Sequence, residues 1–202
     1  MTDSRPDAPA STADQLAEWA AELGDRLGAD SVITEFATPR IYVSRAAWVE
    51  TARRARDDEE LPFFSWLSAI DWAREVEVGE GLEEPESVDE RFEVICRLSS
   101  VVDARGVHFI APVPKDDPWI DSLVPLFGGA AWHEREAHEM FGIDFRGNPN
   151  LSHLYLPDAF EGNPLLKSFA LLSRQVKPWP GTVDVEAMPG EEPGPSTENP
   201  EA

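Results

Sequence analysis

The chain has 202 residues, 42% apolar and 28% charged, with seven Trp, enough for one core-forming domain plus tails or two small ones. Seventeen Lys and Arg stand against 39 Asp and Glu, a formal net charge of −22, which argues against nucleic acid or an anionic membrane surface as a direct partner. A single cysteine, Cys96, excludes an internal disulfide and leaves too few thiolates for a cysteine-built zinc site or a self-contained iron–sulfur cluster.

Residues 1–13 are polar and Pro/Ser/Ala-rich, and a disordered tail is expected there. They contain no apolar signal region, so the default expectation is a cytoplasmic protein. No apolar run reaches the ~18 residues that a membrane span needs. A first helix follows. Ser11 and Asp14 offer a variant of a capping box, Leu16, Trp19, Ala20, Leu23 and Leu27 recur at helical spacing, and Gly28 ends it.

SVITEF (31–36) and RIYVS (40–44) read as strands, with Thr38-Pro39 as the turn between them. Ser44 is positioned to cap a second helix whose apolar face holds Trp48, Val49, Ala52 and Ala55. LPFFSWLSAIDW reads as a short helix over 62–68 and a strand into Trp72. Residues 75–90 carry eight acids and no base, a loop or hairpin tip. RFEVICRLSS (91–100) and GVHFIAPVP (106–114) read as two strands joined by a turn at Asp103–Gly106, with Cys96 a small buried hydrophobe and His108 structural. DDPWIDSLVPLF (116–127) reads as another helix, stopped by Gly128-Gly129.

This order predicts an α+β fold: a small mixed or antiparallel sheet covered by helices, followed by a long extended C-terminal arm. The expected divisions are a tail over 1–13, the α+β domain over 14–156, an arm over 157–183 and a disordered acidic tail over 184–202. The arm has Pro at 157, 164, 178, 180 and 189 nearby and apolar residues without a period. Such a segment makes physical sense laid over another protein.

The most informative stretch is WHEREAHEMFG (132–142). It has a superficial likeness to the zinc motif HExxH, which needs two His four residues apart. His133 and His138 are five apart, about 140° around a helix, and so face different directions. Glu134 and His138 can meet, but two ligands make no site. The second chemistry to weigh is acid–base work by Glu134, Glu136 and Glu139. Arg135 and Glu139 are spaced to pair. Trp132, Glu136 and Met140 share a stripe beside Ala137 and Phe141, which places Glu136 on the apolar face. Buried there, it needs an internal Arg or backbone N–H groups; the functional alternative is that it titrates. No nucleophile–base pairing is in reach along the sequence. No Gly-rich loop suited to a nucleotide is present either.

The segment GGAAWHEREAHEMFGIDFRGNPNLSHLYLPDAFEGNPLLKSF resembles the signature region of the C subunit of the bacterial NADH:quinone oxidoreductases, in the peripheral arm of respiratory complex I. The pattern is met by Trp132, Glu134, Arg135, Glu136, Glu139, Met140, Phe141, Gly142, Ile143 and Phe145. It continues through Pro149, Leu151, Pro157, Asp158, Glu161, Gly162, Pro164 and Lys167, and upstream blocks extend the likeness over roughly residues 30–183. The chain departs from the pattern at Asn148 and Asn163, where the family often has His, and at Ser152, His153 and Leu166, where it often has Arg. The extension FALLSRQVKPWPG replaces a shorter ending.

The resemblance implies a non-catalytic scaffold subunit that binds no cofactor itself. FMN, iron–sulfur clusters, NADH and quinone would sit on other subunits, and the partners would be the quinone-site and iron–sulfur subunits of a hetero-oligomer. The address would be the cytoplasmic side of the cell membrane, peripheral and touching the bilayer only indirectly. Three alternatives stay open: an equivalent subunit of a membrane-bound hydrogenase or related dehydrogenase complex, a free-standing acidic hydrolase using Glu134, Glu136 and His138, and an acidic regulatory module acting through its tails.

Overall fold

The computed structural model describes residues 12–74, 84–103 and 105–169. Ser11 of the expected cap, most of the 75–90 acidic stretch and everything from 170 onward lie outside the described residues. The element order is α+β, as expected. Helix α1 (Thr12–Leu27) buries Ala20, Leu23 and Leu27, the stripe marked by the 3.6-residue spacing. Gly28 closes it with a φ of +74°, a conformation open to glycine without steric cost.

Strands β1 (Ser31–Glu35) and β2 (Thr38–Tyr42) form the first hairpin, but the turn is Phe36-Ala37 rather than Thr38-Pro39. Both turn residues have positive φ, 50° and 54°, the backbone of a tight two-residue hairpin turn that matches the strand twist. Pro39 is tolerated inside β2 because it stands opposite Thr34, one step from the Glu35–Thr38 pair that closes the turn. Alternation makes Thr34–Pro39 a pair that exchanges no ladder hydrogen bonds, so the missing N–H costs nothing on that side. Phe36 is 93% exposed and contributes little packing. Replacing Phe36-Ala37 with Asn-Gly is therefore expected to raise stability by about 1 kcal/mol, read as a higher denaturation midpoint.

Helix α2 (Trp48–Asp57) buries Trp48, Thr51, Ala52 and Ala55. Ser44 belongs to the turn ahead of it, where its hydroxyl accepts the Ala47 N–H at 3.3 Å. The next segment corrects the sequence reading. Phe63–Trp72 is one strand, β3, with no helix over 62–68. A β-bulge lies between Phe64 and Trp66. The extra residue resets the alternation, so that Phe64 and Leu67 both turn toward the core. An apolar pattern that breaks period 2 in this way mimics a helical turn.

Strands β4 (Arg91–Ser99) and β5 (Gly106–Val113) complete a five-stranded sheet of order β1-β2-β5-β4-β3. β2 runs parallel to β5 and every other pairing is antiparallel. One face carries Ile41, Leu67, Val94, Cys96, Leu98, Val107 and Phe109, all buried in a core completed by the helices. Full burial of each large apolar side chain contributes roughly 1.5–3 kcal/mol. The opposite face is not covered by any described helix.

The segment after β5 is the second correction. Residues 116–127 form no α-helix. Trp119–Asp121 is a short strand, β6, paired in parallel with β7 (Asp144–Arg146). Pro125 lacks the N–H that a helix running through 116–127 would use to reach the carbonyl of Asp121. A turn follows instead, with the Leu126 and Phe127 N–H groups on the Leu123 carbonyl. Between β6 and β7 lies helix α3 (Ala130–Phe141), packed against β3.

Candidate functional site

Helix α3 carries the charged signature, and its buried stripe is Ala130, Glu134, Ala137 and Phe141, with Glu139 beside it. Trp132 is 61% exposed, so the stripe is rotated from the one inferred through Trp132 and Met140. The expected buried carboxylate, Glu136, is half-exposed. The buried acids are its neighbours, Glu134 at 0% and Glu139 at 3% exposure. Spacing drew the stripe through Trp132 and Met140 and so selected Glu136 in place of the two carboxylates that face inward.

Glu134 is held by three neutral donors. The Ser122 hydroxyl donates to Oε2 at 2.7 Å, the Leu123 N–H to Oε1 at 2.6 Å, and Asn148 Nδ2 to Oε2 at 2.8 Å. Burial pushes its pKa above the ordinary carboxylate value, against the pull of those three bonds. No ion pair involves it among the described residues. Its position ties the β6 turn and the segment after β7 to the helix.

Glu139 and Arg135 do not pair with one another. Both reach the segment that follows β7. Glu139 accepts the backbone N–H groups of Leu154 at 2.7 Å, Tyr155 at 3.1 Å and Leu156. Burial favours its neutral form, but the three N–H groups outweigh burial and hold its pKa below the ordinary value. Arg135 donates to the Ser152 carbonyl at 2.9 Å, the Ser152 hydroxyl at 3.1 Å and the His153 carbonyl at 2.7 Å. One helical turn thus grips five successive residues by their main chain, with cation and anion each on the groups of opposite polarity.

The gripped segment is pre-shaped by local turns. Asn148 Oδ1 accepts the Asn150 N–H and Asn150 Oδ1 accepts the Ser152 N–H, two successive Asx turns. Asn163 Nδ2 donates to the Glu139 carbonyl at 2.8 Å. The Leu165 N–H reaches the Met140 carbonyl, and the Lys167 N–H reaches Asp71 at 2.8 Å. Asp71 is buried and paired with Lys115 at 2.5 Å. Asn148 and Asn163 therefore both act as donors at the positions where the resembled pattern often has His.

The remaining signature residues divide by burial. Ile143 and Phe145 are buried, and Met140 and Leu151 pack partly on the core. Pro149, Glu161 and Gly162 are exposed, and Pro164 is half-buried. The exposed Pro157 offers its carbonyl to the Phe160 N–H. Gly142 ends α3 with φ +76°, and a Cβ there would stand 3.0 Å from Asn163 Oδ1. Gly142→Ala is expected to cost about 2 kcal/mol from left-handed backbone plus this crowding, measured by chemical denaturation.

Neither hydrolytic reading gathers its residues. His138 Nδ1 lies 2.8 Å from the Ile143 carbonyl, the geometry of a ring N–H donor, while Glu134 is engaged by Ser122, Leu123 and Asn148. His133 stands edge-on to Phe64. Among the described residues no three His, Cys, Asp or Glu side chains come together to hold a metal. The Cys96 thiol is pushed far above its usual range, by burial first and then by Glu134. What the clamp leaves outward is a rim: Trp132, His133, Glu136, Leu154 and Tyr155 line a shallow groove of about 260 Å³, with Tyr155 64% exposed.

The sequence comparisons agree on one family. Residues 41–175 match the model of the respiratory-chain NADH dehydrogenase, 30 Kd subunit. The C subunit of an NADH-quinone oxidoreductase from Nocardioides is 31% identical over 85% of this chain, which spans 64% of that protein. Its counterpart from Citrifermentans bemidjiense is 31% identical over 70% of this chain and 80% of its own length. The counterpart from Mycolicibacterium smegmatis is 30% identical over 78% of this chain, which spans 62% of it. Among solved structures, a trypsin-resistant fragment of Nqo5 superposes with a TM-score of 0.53 at 21% identity, over 67% of this chain and 99% of the fragment. A chain of an archaeal membrane-bound sulfane sulfur reductase, a respiratory membrane complex, superposes with 0.62 at 18% identity, over 77% and 85%.

Proposed function

The chain belongs to the respiratory-chain NADH dehydrogenase 30 Kd subunit family, and on that footing we propose that it is a non-catalytic scaffold subunit of a proton-translocating NADH:quinone oxidoreductase. It packs on the quinone-site and iron–sulfur subunits so that electrons pass from NADH to a quinone through centres on those chains. FMN, the clusters and the quinone site are theirs. Its place is peripheral, on the cytoplasmic side of the membrane; no described helix is long and apolar enough to cross a bilayer.

The observation that carries this reading is the use of the signature side chains. Glu134, Arg135 and Glu139 are all spent on internal hydrogen bonds. They leave an aromatic rim, Trp132 and Tyr155, on the outside of α3 and of the loop it grips. Aromatic side chains fixed on a stiff support are what protein interfaces use as anchors. The rim is one contact face. The arm expected over 157–183, whose described part is bonded to α3 and to Asp71, is proposed as a second contact with a partner.

The test is an affinity purification of the tagged full chain from gently solubilised membranes, with co-eluting proteins identified and NADH:quinone activity assayed. Co-elution with iron–sulfur and quinone-site subunits, with activity, is the expected result. Elution with a complex fed by a different electron donor would assign the chain to that complex instead. Recovery of the chain alone from the soluble fraction would sink the proposal.

A further inference from the structure

Among the described residues, one face of the five-stranded sheet is covered by no helix and is used by neither the clamp nor the core. Tyr42, Trp66, Ile70, Trp72, Ile95 and Ile110 line an open groove of about 390 Å³ across β2, β5, β4 and β3. Ile70 and Trp72 are 38% and 40% exposed. Three cations stand on this face. Arg40 lies 3.4 Å from Glu35, and Arg91 lies 2.7 Å from Glu93. Arg97 differs: among the described residues its guanidinium meets no carboxylate, only the His108 ring at 3.4 Å. Burial first, then Arg97 and Arg40, hold His108 below its ordinary pKa, so it adds no second charge. In a chain with 39 acids and 17 bases, one guanidinium at the His108 end of this groove has, among the described residues, no carboxylate partner.

We propose that this face is a second docking surface, taking an amphipathic helix of a neighbouring subunit that presents one carboxylate to Arg97 among apolar residues. This rests on the reading of the chain as a subunit of a larger complex. An amphipathic helix can bury its apolar stripe against the apolar residues of such a sheet face. The carboxylate follows from charge complementarity and from the fork of donors that a guanidinium offers. A second copy of this chain fits poorly, because a two-fold axis through the groove sets Arg97 against Arg97 and joins two chains of charge −22.

The experiment places a photo-crosslinking benzoylphenylalanine at Ile70 of the full chain and irradiates the gently solubilised complex. The expected adduct is a helical peptide of another subunit with an Asp or Glu near the attachment point. Arg97→Glu should then lower recovery of the chain with the complex about tenfold or more, and the opposite exchange of that acid to Arg should restore it. An adduct on residues 170–202 of the same chain, an adduct on a second copy, no adduct while the chain stays in the complex, or a charge exchange that restores nothing would each overturn the proposal. If the unmodified chain is not recovered with any redox complex before irradiation, the subunit reading itself has failed and the docking face falls with it.

Discussion

Glu139→Ala is expected to free the 152–156 segment while the sheet stays folded. The mutation strands three backbone N–H groups that now share one carboxylate. Bonds to a charged acceptor contribute about 1.5–3 kcal/mol each, and sharing makes them less than additive, so about 3 kcal/mol is the expected local loss. Amide exchange at Leu154, Tyr155 and Leu156 should accelerate on the order of 100-fold, while the amides of β4 and β5 keep their protection. Equal acceleration throughout would mean that the clamp is part of the global fold instead. The pH sign follows from the depressed pKa of Glu139. Its stabilisation is fully present above the unfolded carboxylate value, ~4.3, and disappears as pH falls through the lower folded value. Glu139→Gln should flatten that acid limb.

Glu134→Ala is expected to be of similar size but global, about 3 kcal/mol or more. It empties a fully buried site and leaves the Leu123 N–H, the Ser122 hydroxyl and the Asn148 amide without their acceptor. Glu134→Gln should cost less, about 1–2 kcal/mol. The glutamine keeps an oxygen for Leu123, and the Ser122 hydroxyl can rotate to accept from its new amide, but Asn148 Nδ2 then faces a donor. The raised pKa of Glu134 gives a pH dependence opposite to that of Glu139. The favourable contribution of its neutral form is fully present below the unfolded value and is lost as pH rises through the folded one. Glu134→Gln should therefore flatten stability on the side above ~4.3, where Glu139→Gln flattens it below. Denaturant melts of both variants from pH 3 to pH 8 separate the two; parallel profiles would refute the assignment.

The legible parts of this fold were those where one physical rule acts alone. α1 has a clean apolar stripe and a terminal glycine, and β4 and β5 are apolar runs rich in β-branched and aromatic residues on either side of a turn. The readings that failed lie where two rules compete. Phe63–Trp72 looks helical because a bulge brings Phe64 and Leu67 to one face. Residues 116–127 look helical by composition, but Pro125 denies the hydrogen bond and β7 offers β6 a partner 25 positions downstream, a pairing no local window contains. The hairpin turn was misplaced because proline is a stronger turn former than Phe-Ala, yet the pairing register needed positive φ at 36 and 37. In the candidate site, the resemblance located the right helix. The spacing argument chose Glu136 as the buried acid because it took Trp132 as an inward residue, whereas Trp132 belongs to the exposed rim.

The clamp grips main chain almost throughout: N–H groups for Glu139, and carbonyls plus a single hydroxyl for Arg135. The identities of Leu154, Tyr155 and Leu156 are therefore free to drift without loosening the loop that displays them. Exchanging those side chains would alter the surface shown to a neighbour and leave the acid and base on the helix holding the same main-chain groups. Tolerance of side-chain exchange along this loop and intolerance on the helix behind it are the two halves of one arrangement.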